Sequence, residues 1–249
     1  MYDVTVQNNS DYTNDYLVYL NNELGLTDYS LETNALFNQY YFADSSDANN
    51  IYLTIVPNLR KNKSVVTRSN YLSNALKEKI RAEIADYKLL NSEIAFIDPV
   101  YLNLDLSLKF SGEPNKLRYK DNTRLVITKQ ARALINEEDI KSKVYNTITT
   151  YINNLKLGDT IDVRFLNNEI EKIQGIETIE TLRTDNPDFP IPGLSFCLFN
   201  PIYNGKDKKV FDTRCTLKPY QIPYIENPTA FKNKIIIKSL VTNKRVVEY

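Results

Sequence analysis

Histidine and tryptophan are absent from this 249-residue chain, and glycine, cysteine and methionine number only six, two and one. Without histidine the chain has no Ser-His-Asp or Cys-His catalytic system, no imidazole general base and no histidine-containing zinc site. Neither of the glycine-rich phosphate-binding motifs, GxGxxG and GxxxxGKS/T, occurs. These absences exclude many kinds of enzyme, and we expect a protein that has no catalytic activity, cofactor, metal or small-molecule substrate.

Charge of one sign and long apolar runs are also missing. Lysine plus arginine equals aspartate plus glutamate, 31 against 31, so no overall field recruits nucleic acid or an anionic membrane. No apolar run reaches the roughly 18 residues of a membrane span, and the N-terminal "MYDVTVQNNSDYTNDY" does not resemble a secretion signal. We expect a protein that is made and kept in a cytoplasm and binds neither nucleic acid nor membrane.

The two cysteines, Cys197 and Cys215, form no CxxC pair. Two isolated cysteines are too few for a disulfide framework, and we expect buried free thiols. A single disulfide and a ligand pair are the alternatives.

Two groups of acidic residues are candidate sites. Glu137, Glu138 and Asp139 directly precede an apolar-periodic stretch, where carboxylates suit the positive end of a helix better than a metal. Asp159 and Asp162 flank a predicted turn into a strand, and we interpret them as part of a solvated loop. A paired-carboxylate glycosidase stays an alternative, because its two acids can lie anywhere in a chain.

A basic loop contains Arg60, Lys61, Lys63 and Arg68 but no interleaved aromatic residue. Four charges without stacking side chains make a weak nucleic-acid site. We interpret the loop as solvated, or as the polar rim of a protein contact.

The segment "VYLNLDLSLKF", residues 100–110, is apolar at every even position. This period of two predicts a strand with one buried face and one solvent face, about 35 Å long at roughly 3.3 Å per residue. Upstream, "IYLTIVP" predicts a strand over 51–57, and Leu72, Leu76, Ile80 and Ile84 recur at the helical period over 70–90. We expect a βαβ-like unit in which the helix covers the apolar face of residues 100–110.

A second unit follows the same pattern. "TRLVITK" predicts a strand, and Ile140, Val144, Ile148 and Ile152 predict a helix over 138–156 that Asn136 caps and Gly158 ends. "TIDVRF" then predicts a strand, "LNNEIEKIQG" a short helix and "IETIETL" another strand. The N-terminal "YDVTVQ" and "NDYLVYLNNELG" suggest a short strand and a short helix.

These patterns predict an α+β protein with layered βαβ-type units, in which long helices pack on a mixed sheet. We expect an irregular or helical segment at 1–49, an α/β domain at 50–183 and a β-rich C-terminal region at 184–249, which begins at a proline-rich stretch.

Tyrosine occurs 18 times and is suited to contact surfaces, because its ring brings a large area at a low cost in side-chain entropy. We expect a partner interface that includes the following tyrosines: Tyr16, Tyr19, Tyr40, Tyr41, Tyr220 and Tyr224.

The order of elements resembles that of baseplate J-like proteins. It is most similar to the C-terminal part of the large wedge proteins of T4-like contractile-tailed phages. The resemblance covers residues 50–183 and rests on the "IYLTIVP" strand, the helix before "DPVYLNLDLSL", and the succession of a helix, "LKLGDTIDVRFLNNEI" and "IQGIETI". Family members carry a long N-terminal half ahead of this segment, whereas only residues 1–49 precede it here. Either the chain is a fragment or the missing functions belong to another polypeptide.

The resemblance implies a structural component of a phage tail baseplate, assembled in the host cytoplasm and located in the virion. It implies contacts with copies of itself and with other wedge proteins, through which wedges join in a ring. A receptor- or glycan-binding tail module is the alternative function, favoured by the abundance of tyrosine and asparagine.

Overall fold

The computed structural model describes residues 3–20, 50–57, 71–87, 93–106, 125–131, 133–179, 193–201 and 207–239. Of these residues 39% are helical and 35% lie in strands of mixed sheets, which confirms the predicted α+β class. In chain order the described elements are β1 (Asp3–Asn8), α1 (Asn9–Asp11, continued by a π-helix at Tyr12–Leu17), β2 (Ile51–Val56), α2 (Asn74–Ile84, continued by a 3₁₀ turn at Ala85–Tyr87), β3 (Ile94–Ile97), β4 (Val100–Leu106), β5 (Leu125–Lys129), α3 (Glu137–Asn154), β6 (Thr160–Asp162), α4 (Val163–Glu171), β7 (Ile176–Ile179), β8 (Phe196–Phe199), β9 (Lys209–Phe211), β10 (Arg214–Thr216), β11 (Gln221–Tyr224), α5 (Pro228–Asn233) and β12 (Ile235–Ser239).

The first sheet has the order β1-β2-β3 and is covered on one face by α2. β1 and β2 are antiparallel, whereas β2 and β3 are parallel, so β2, α2 and β3 form the βαβ unit. Leu72, Ile80 and Ile84 pack on the apolar side chains of β2 and β3. The Arg81 guanidinium lies 5.2 Å from the centre of the Phe96 ring, and its Nε donates to the carbonyl of Ile94 at 3.2 Å.

This arrangement corrects the predicted partner of the helix over 70–90. The segment "IAFI", for which the sequence analysis gives no strand, is the strand β3 that completes the unit. It takes up the apolar face of α2, and the apolar face of β4 packs elsewhere. The helix is also shorter than predicted, with 11 α-helical residues.

The second sheet has the order β11-β4-β8-β9, which places β4 between two neighbours. Leu102, Leu104 and Leu106 join the main core, as the apolar pattern predicts. The opposite face is not solvated as predicted, because Tyr101 and Asn103 are buried there as well. Tyr101 packs in a second apolar cluster, and the Asn103 side chain accepts from the amide of Glu226 at 3.1 Å. The structure describes this strand as far as residue 106, so the predicted extension to 110 lies outside the described residues.

The third sheet has the order β12-β5-β7 and contributes to the core that α3 covers. The predicted apolar face of α3 is confirmed: Ile140, Val144, Ile148 and Ile152 are all buried. Asn136 caps the helix, since its side chain accepts from the amide of Glu138 at 3.3 Å. The helix ends before the predicted stop at Gly158, because its last residue is Asn154 and Leu155 is already extended. Gly158 lies in the turn that follows, where its φ of +74° favours glycine.

The predicted strand "TIDVRF" divides into two elements. Only Thr160–Asp162 is a strand, β6, which pairs with β10. Helix α4 begins at Val163 because Asp162 caps it, accepting from the amide of Phe165 at 3.1 Å. Asp162 is thus a helix cap as well as a neighbour of a turn.

Strand pairing crosses the predicted region boundaries. β1 from the N-terminal segment pairs with β2, and β8, β10, β11 and β12 from the C-terminal region pair with strands between residues 100 and 162. The main core cluster extends from Leu102 to Ile235. In the described part of the chain, residues 184–249 therefore complete the sheets of the preceding region.

Candidate partner interface

Three of the predicted interface tyrosines belong to a buried group that we call the tyrosine cluster: Tyr12, Tyr16, Tyr19, Tyr52 and Tyr220. Each of these side chains is at most 7% exposed. The cluster forms because α1 follows β1 directly and carries Tyr12 and Tyr16 onto Tyr52 of β2 and onto Tyr220, which precedes β11.

The rings of the tyrosine cluster make stacked and edge contacts. Tyr12 stacks on Tyr52 with ring centres 4.0 Å apart and planes at 5°. Tyr16 meets Tyr220 edge-on, with centres 4.9 Å apart and planes at 84°. Such aromatic pairs stabilise a fold by more than their buried area alone, so the cluster holds α1 on two sheets.

Three of the hydroxyl groups reach partners in other elements. Tyr52 donates to Asn9 Oδ1 at 3.0 Å and Tyr220 to the carbonyl of Asp15 at 2.9 Å. Tyr19 donates to Asp207 Oδ2 at 2.9 Å. These bonds satisfy the polar end of each buried ring.

The hydroxyl of Tyr12 is buried and has no hydrogen-bond partner. Its burial raises the pKa of Tyr12 far above the ordinary value, and the neighbouring Tyr16 and Tyr52 raise the pKa further. The group therefore stays protonated and carries no acid or base chemistry near neutral pH.

Tyr224 lies in a separate buried group with Tyr71 and Tyr101, whose rings meet edge-on at 5.4 Å for Tyr71–Tyr101 and 6.3 Å for Tyr101–Tyr224. Its pKa is raised, first by burial and then by the nearby Glu226 carboxylate.

The structure thus corrects the expected exposure of the predicted interface. Tyr16, Tyr19, Tyr220 and Tyr224 are buried within the chain, where their rings are internal packing and not contact surface. Tyr40 and Tyr41 lie outside the described residues. Sequence reasoning assigned the tyrosines to the surface because their spacing does not say which way each ring points.

The two groups of acidic residues have local structural roles. Glu137, Glu138 and Asp139 lie in the first turn of α3, as predicted. The pKa of Asp162 is lowered, first by the amide of Phe165 and then by Arg214, whose Nε lies 2.7 Å from its carboxylate. Within the described ranges no three His, Cys, Asp or Glu side chains come together in a group that could hold a metal.

The prediction of free thiols is confirmed for both cysteines: Cys197 is buried and Cys215 is partly buried. Burial raises the pKa of the Cys215 thiol, which keeps it in the unreactive protonated form. The basic loop from Arg60 to Arg68 lies outside the described residues.

An open groove of about 810 Å³ lies between α3 and α4. Tyr151 and Phe165 line it with ring centres 5.6 Å apart, and Phe165 is 50% exposed. The Tyr151 hydroxyl is held by the amide of Asp162, which donates to it at 2.9 Å. The charged lining residues, Lys143 and Glu169, provide no paired nucleophile and base. The groove suits contact with an apolar side chain of another protein better than catalysis.

A second exposed apolar feature lies on β1, where Val4 is 37% and Val6 64% exposed. Sequence analysis assigned this segment only as a strand. The alternation of "DVTVQ" contains the signal, since both valines lie on one face.

Comparison with known proteins adds no assignment: no protein-family model matches the chain, and no curated protein sequence matches it. Among the described helices, none has both the length and the apolar character needed to cross a membrane.

Proposed function

We propose that this protein is a structural component of a phage tail baseplate wedge, which contacts copies of itself and other wedge proteins. The observation that carries the proposal is the order of elements. β2, α2, β4, α3, α4 and β7 follow one another as in the segments on which the resemblance to baseplate J-like proteins rests.

The packing of the chain supports a mechanical role. Each of the three predicted regions contributes strands to sheets that it shares with another region, so β1 and β12, the first and last described strands, are both tied into sheets with other regions. The support does not come from the long helix-covered strand expected from the sequence, because α2 lies on β2 and β3.

The groove between α3 and α4 supports a role in protein contact. Phe165 projects from α4 with half of its surface exposed, although the rest of the apolar face of α4 is buried at Val163, Leu166 and Ile170. An exposed aromatic residue beside an apolar groove is typical of a contact that a partner completes. We assign this surface to other wedge proteins.

Labelling of phage particles tests the proposal. Antibodies raised against the purified protein are expected to bind the baseplate end of intact tails in particles of the phage that encodes it, as seen by electron microscopy. Absence of the protein from the mass spectrum of purified particles would overturn the proposal. Binding of the monomeric protein to a glycan array, with label at the fibre tips, would favour a receptor-binding module instead.

The groove is tested with Phe165→Asp. This variant is expected to lose binding to the other purified wedge proteins of the same phage, since an unpaired carboxylate would then lie in the apolar contact. Leu134→Asp is the matched control, because Leu134 is fully exposed and does not line the groove. Equal binding by both variants would remove the groove from the interface.

A further inference from the structure

The outer edge of β1 presents backbone groups that point away from its sheet. The amide of Ile51 donates to the carbonyl of Glu93 at 2.9 Å, so the backbone groups of the odd-numbered residues of β2 point towards β3. The backbone groups of Tyr52, Thr54 and Val56 therefore point towards β1. In the observed register these three residues form backbone hydrogen bonds with the odd-numbered residues of β1, which are Asp3, Thr5 and Gln7. The N–H and C=O groups of Val4 and Val6 therefore point outward, and within the described residues β1 has no second strand beside it.

The side chains on this edge are also open to a partner. Val4 and Val6 lie opposite Ile55 and Leu53, which belong to the apolar face that α2 covers. The helix covers β2 and β3, and the two valines continue the same face beyond it. β1 contains no lysine, proline or bulge of the kind that protects edge strands from pairing.

We propose that β1 pairs antiparallel with β1 of a second copy of this chain, around a two-fold axis at Thr5. In this register Val4 lies opposite the partner's Val6, and Val6 opposite the partner's Val4. Both are hydrogen-bonded pairs, because these residues carry the outward N–H and C=O groups. The second copy is favoured over another strand because Val4 and Val6 are both apolar and exposed, so the two-fold register around Thr5 covers each valine of one chain with a valine of the other.

The polar residues of β1 are compatible with this register but do not select it. Pairing around Thr5 places the partner's Asp3 opposite Gln7, whose side chain is enclosed by its own chain and is therefore out of the partner's reach. In the single chain the amide of Val4 donates to Asp3 Oδ1 at 3.0 Å, and in the pair it donates to the partner's Val6 carbonyl instead. Asp3 Oδ2 keeps the amide of Leu157 as its donor.

This inference rests on the proposed function, which includes contact between copies of the chain, and it assigns that contact to β1. The contact is small, one pair of strands with four valines, well below the roughly 1,000 Å² of a stable interface. We therefore expect concentration-dependent association of the purified chain that the high local concentration in a ring would strengthen.

Sedimentation equilibrium of the full chain tests the surface. The wild type is expected to form dimers as its concentration rises, and Val6→Lys to weaken dimerisation by roughly tenfold or more, since lysine on an edge strand opposes pairing. Val6→Pro is expected to do the same, because it removes an outward amide and leaves the bonds to β2 in place. Val18→Lys is the matched control, since Val18 is 44% exposed and lies outside β1. Circular dichroism establishes that each variant is folded.

Disulfide trapping tests the register. A mixture of Val4→Cys and Val6→Cys chains is expected to form a disulfide between the two variants. The Cα atoms of directly opposed, hydrogen-bonded residues are about 5.5 Å apart, which lies within the Cα–Cα range of a disulfide. Each variant alone is expected to cross-link no more than the wild type. The wild type serves as the background control, because it contains the native Cys197 and Cys215. Cross-linking of Val4→Cys chains to one another at the level of the mixture would overturn the register.

The outcomes separate this inference from the proposed function. If the wild type dimerises and Val6→Lys and Val6→Pro dimerise equally well, the β1 contact is wrong and self-association stands. If the chain stays monomeric at all concentrations but labels the baseplate, the inference is wrong and the function stands. If dimerisation depends on Val6 but the protein is absent from phage particles, the inference stands without the function.

Discussion

The buried tyrosines combine apolar packing with a polar group that must be satisfied. Its ring provides apolar area, and its hydroxyl needs a partner once it is removed from water. Tyr19, Tyr52 and Tyr220 find such partners on Asp207, Asn9 and Asp15. Tyr12 keeps the ring contact but has no partner for its hydroxyl, so its burial costs free energy that the stacking must offset.

Removing that hydroxyl is expected to stabilise the fold. Tyr12→Phe should raise the free energy of unfolding by about 1 kcal/mol, because an unsatisfied buried hydroxyl is destabilising. Tyr52→Phe is the control, and it should lower the free energy by about 1 kcal/mol because it loses the bond to Asn9. Urea unfolding curves measure both. Destabilisation by Tyr12→Phe equal to that by Tyr52→Phe would mean that Tyr12 has a partner.

Asp162 predicts a dependence of stability on pH. Its pKa is lowered in the folded protein by the amide of Phe165 and by Arg214, so the ionised form favours folding. This contribution is complete above the unfolded pKa of about 4 and is lost as the pH falls towards the lower folded pKa. Asp162→Asn keeps a capping side chain without the charge. The difference in Tm between wild type and variant should stay constant from pH 7 to 5 and narrow below about 4. A difference that does not change down to pH 2.5 would contradict the role of the charge.

At the scale of elements, α3 is the part of the fold that local sequence determines best. A capping asparagine, three acidic residues in the first turn and a regular apolar face all favour the same helix.

The cap of α3 provides a test. Asn136→Ala should lower the free energy of unfolding by about 1 kcal/mol, since the amide of Glu138 loses its acceptor. Asn146→Ala is the matched control on the exposed surface of the same helix, where alanine should leave stability unchanged or raise it slightly. Thermal unfolding distinguishes the two variants. Equal Tm changes would argue against a capping contribution.

The sequence determines helix periodicity better than it determines packing partners. The sequence predicts the apolar faces of α2 and β4 but not that α2 packs on β2 and β3. That packing depends on β3, a run of only four apolar residues that looks like a connection in the sequence. The second face of β4 is buried because Tyr101 packs there with Val56, Leu157 and Tyr224, each more than 40 residues away in the sequence. The alternation of apolar and polar residues along a strand predicts which face is buried in the core. It does not predict whether a distant segment also covers the opposite face.

For the whole molecule, the same distant pairing determines how the chain holds together. β4 lies between β11 and β8, β5 pairs with β12, and β6 with β10. The C-terminal strands therefore supply the neighbours that the central strands need. The location of the candidate site was beyond sequence analysis for the same reason: the groove at Phe165 and the edge at Val6 are defined by what the assembled sheets and helices leave uncovered.

Separation of the chain into two pieces is expected to abolish folding. Residues 1–183 alone should lack a cooperative thermal transition, because the core loses Phe196, Leu198 and Ile235 and β4 loses both neighbours. Mixing with residues 184–249 should restore the transition. Circular dichroism measures both states, and cooperative melting of residues 1–183 alone would contradict the shared core.

The position of β4 also determines when the protein can fold. During synthesis this strand leaves the ribosome before either of its neighbours, and Gln221–Tyr224 follows more than 110 residues later. Until then its apolar face and both of its backbone edges are open to other nascent chains, a condition that favours aggregation. We expect the core to close only after β12 has left the ribosome, because Ile235 belongs to it, so the yield of native protein in a cell should depend on chaperones and on a low rate of expression.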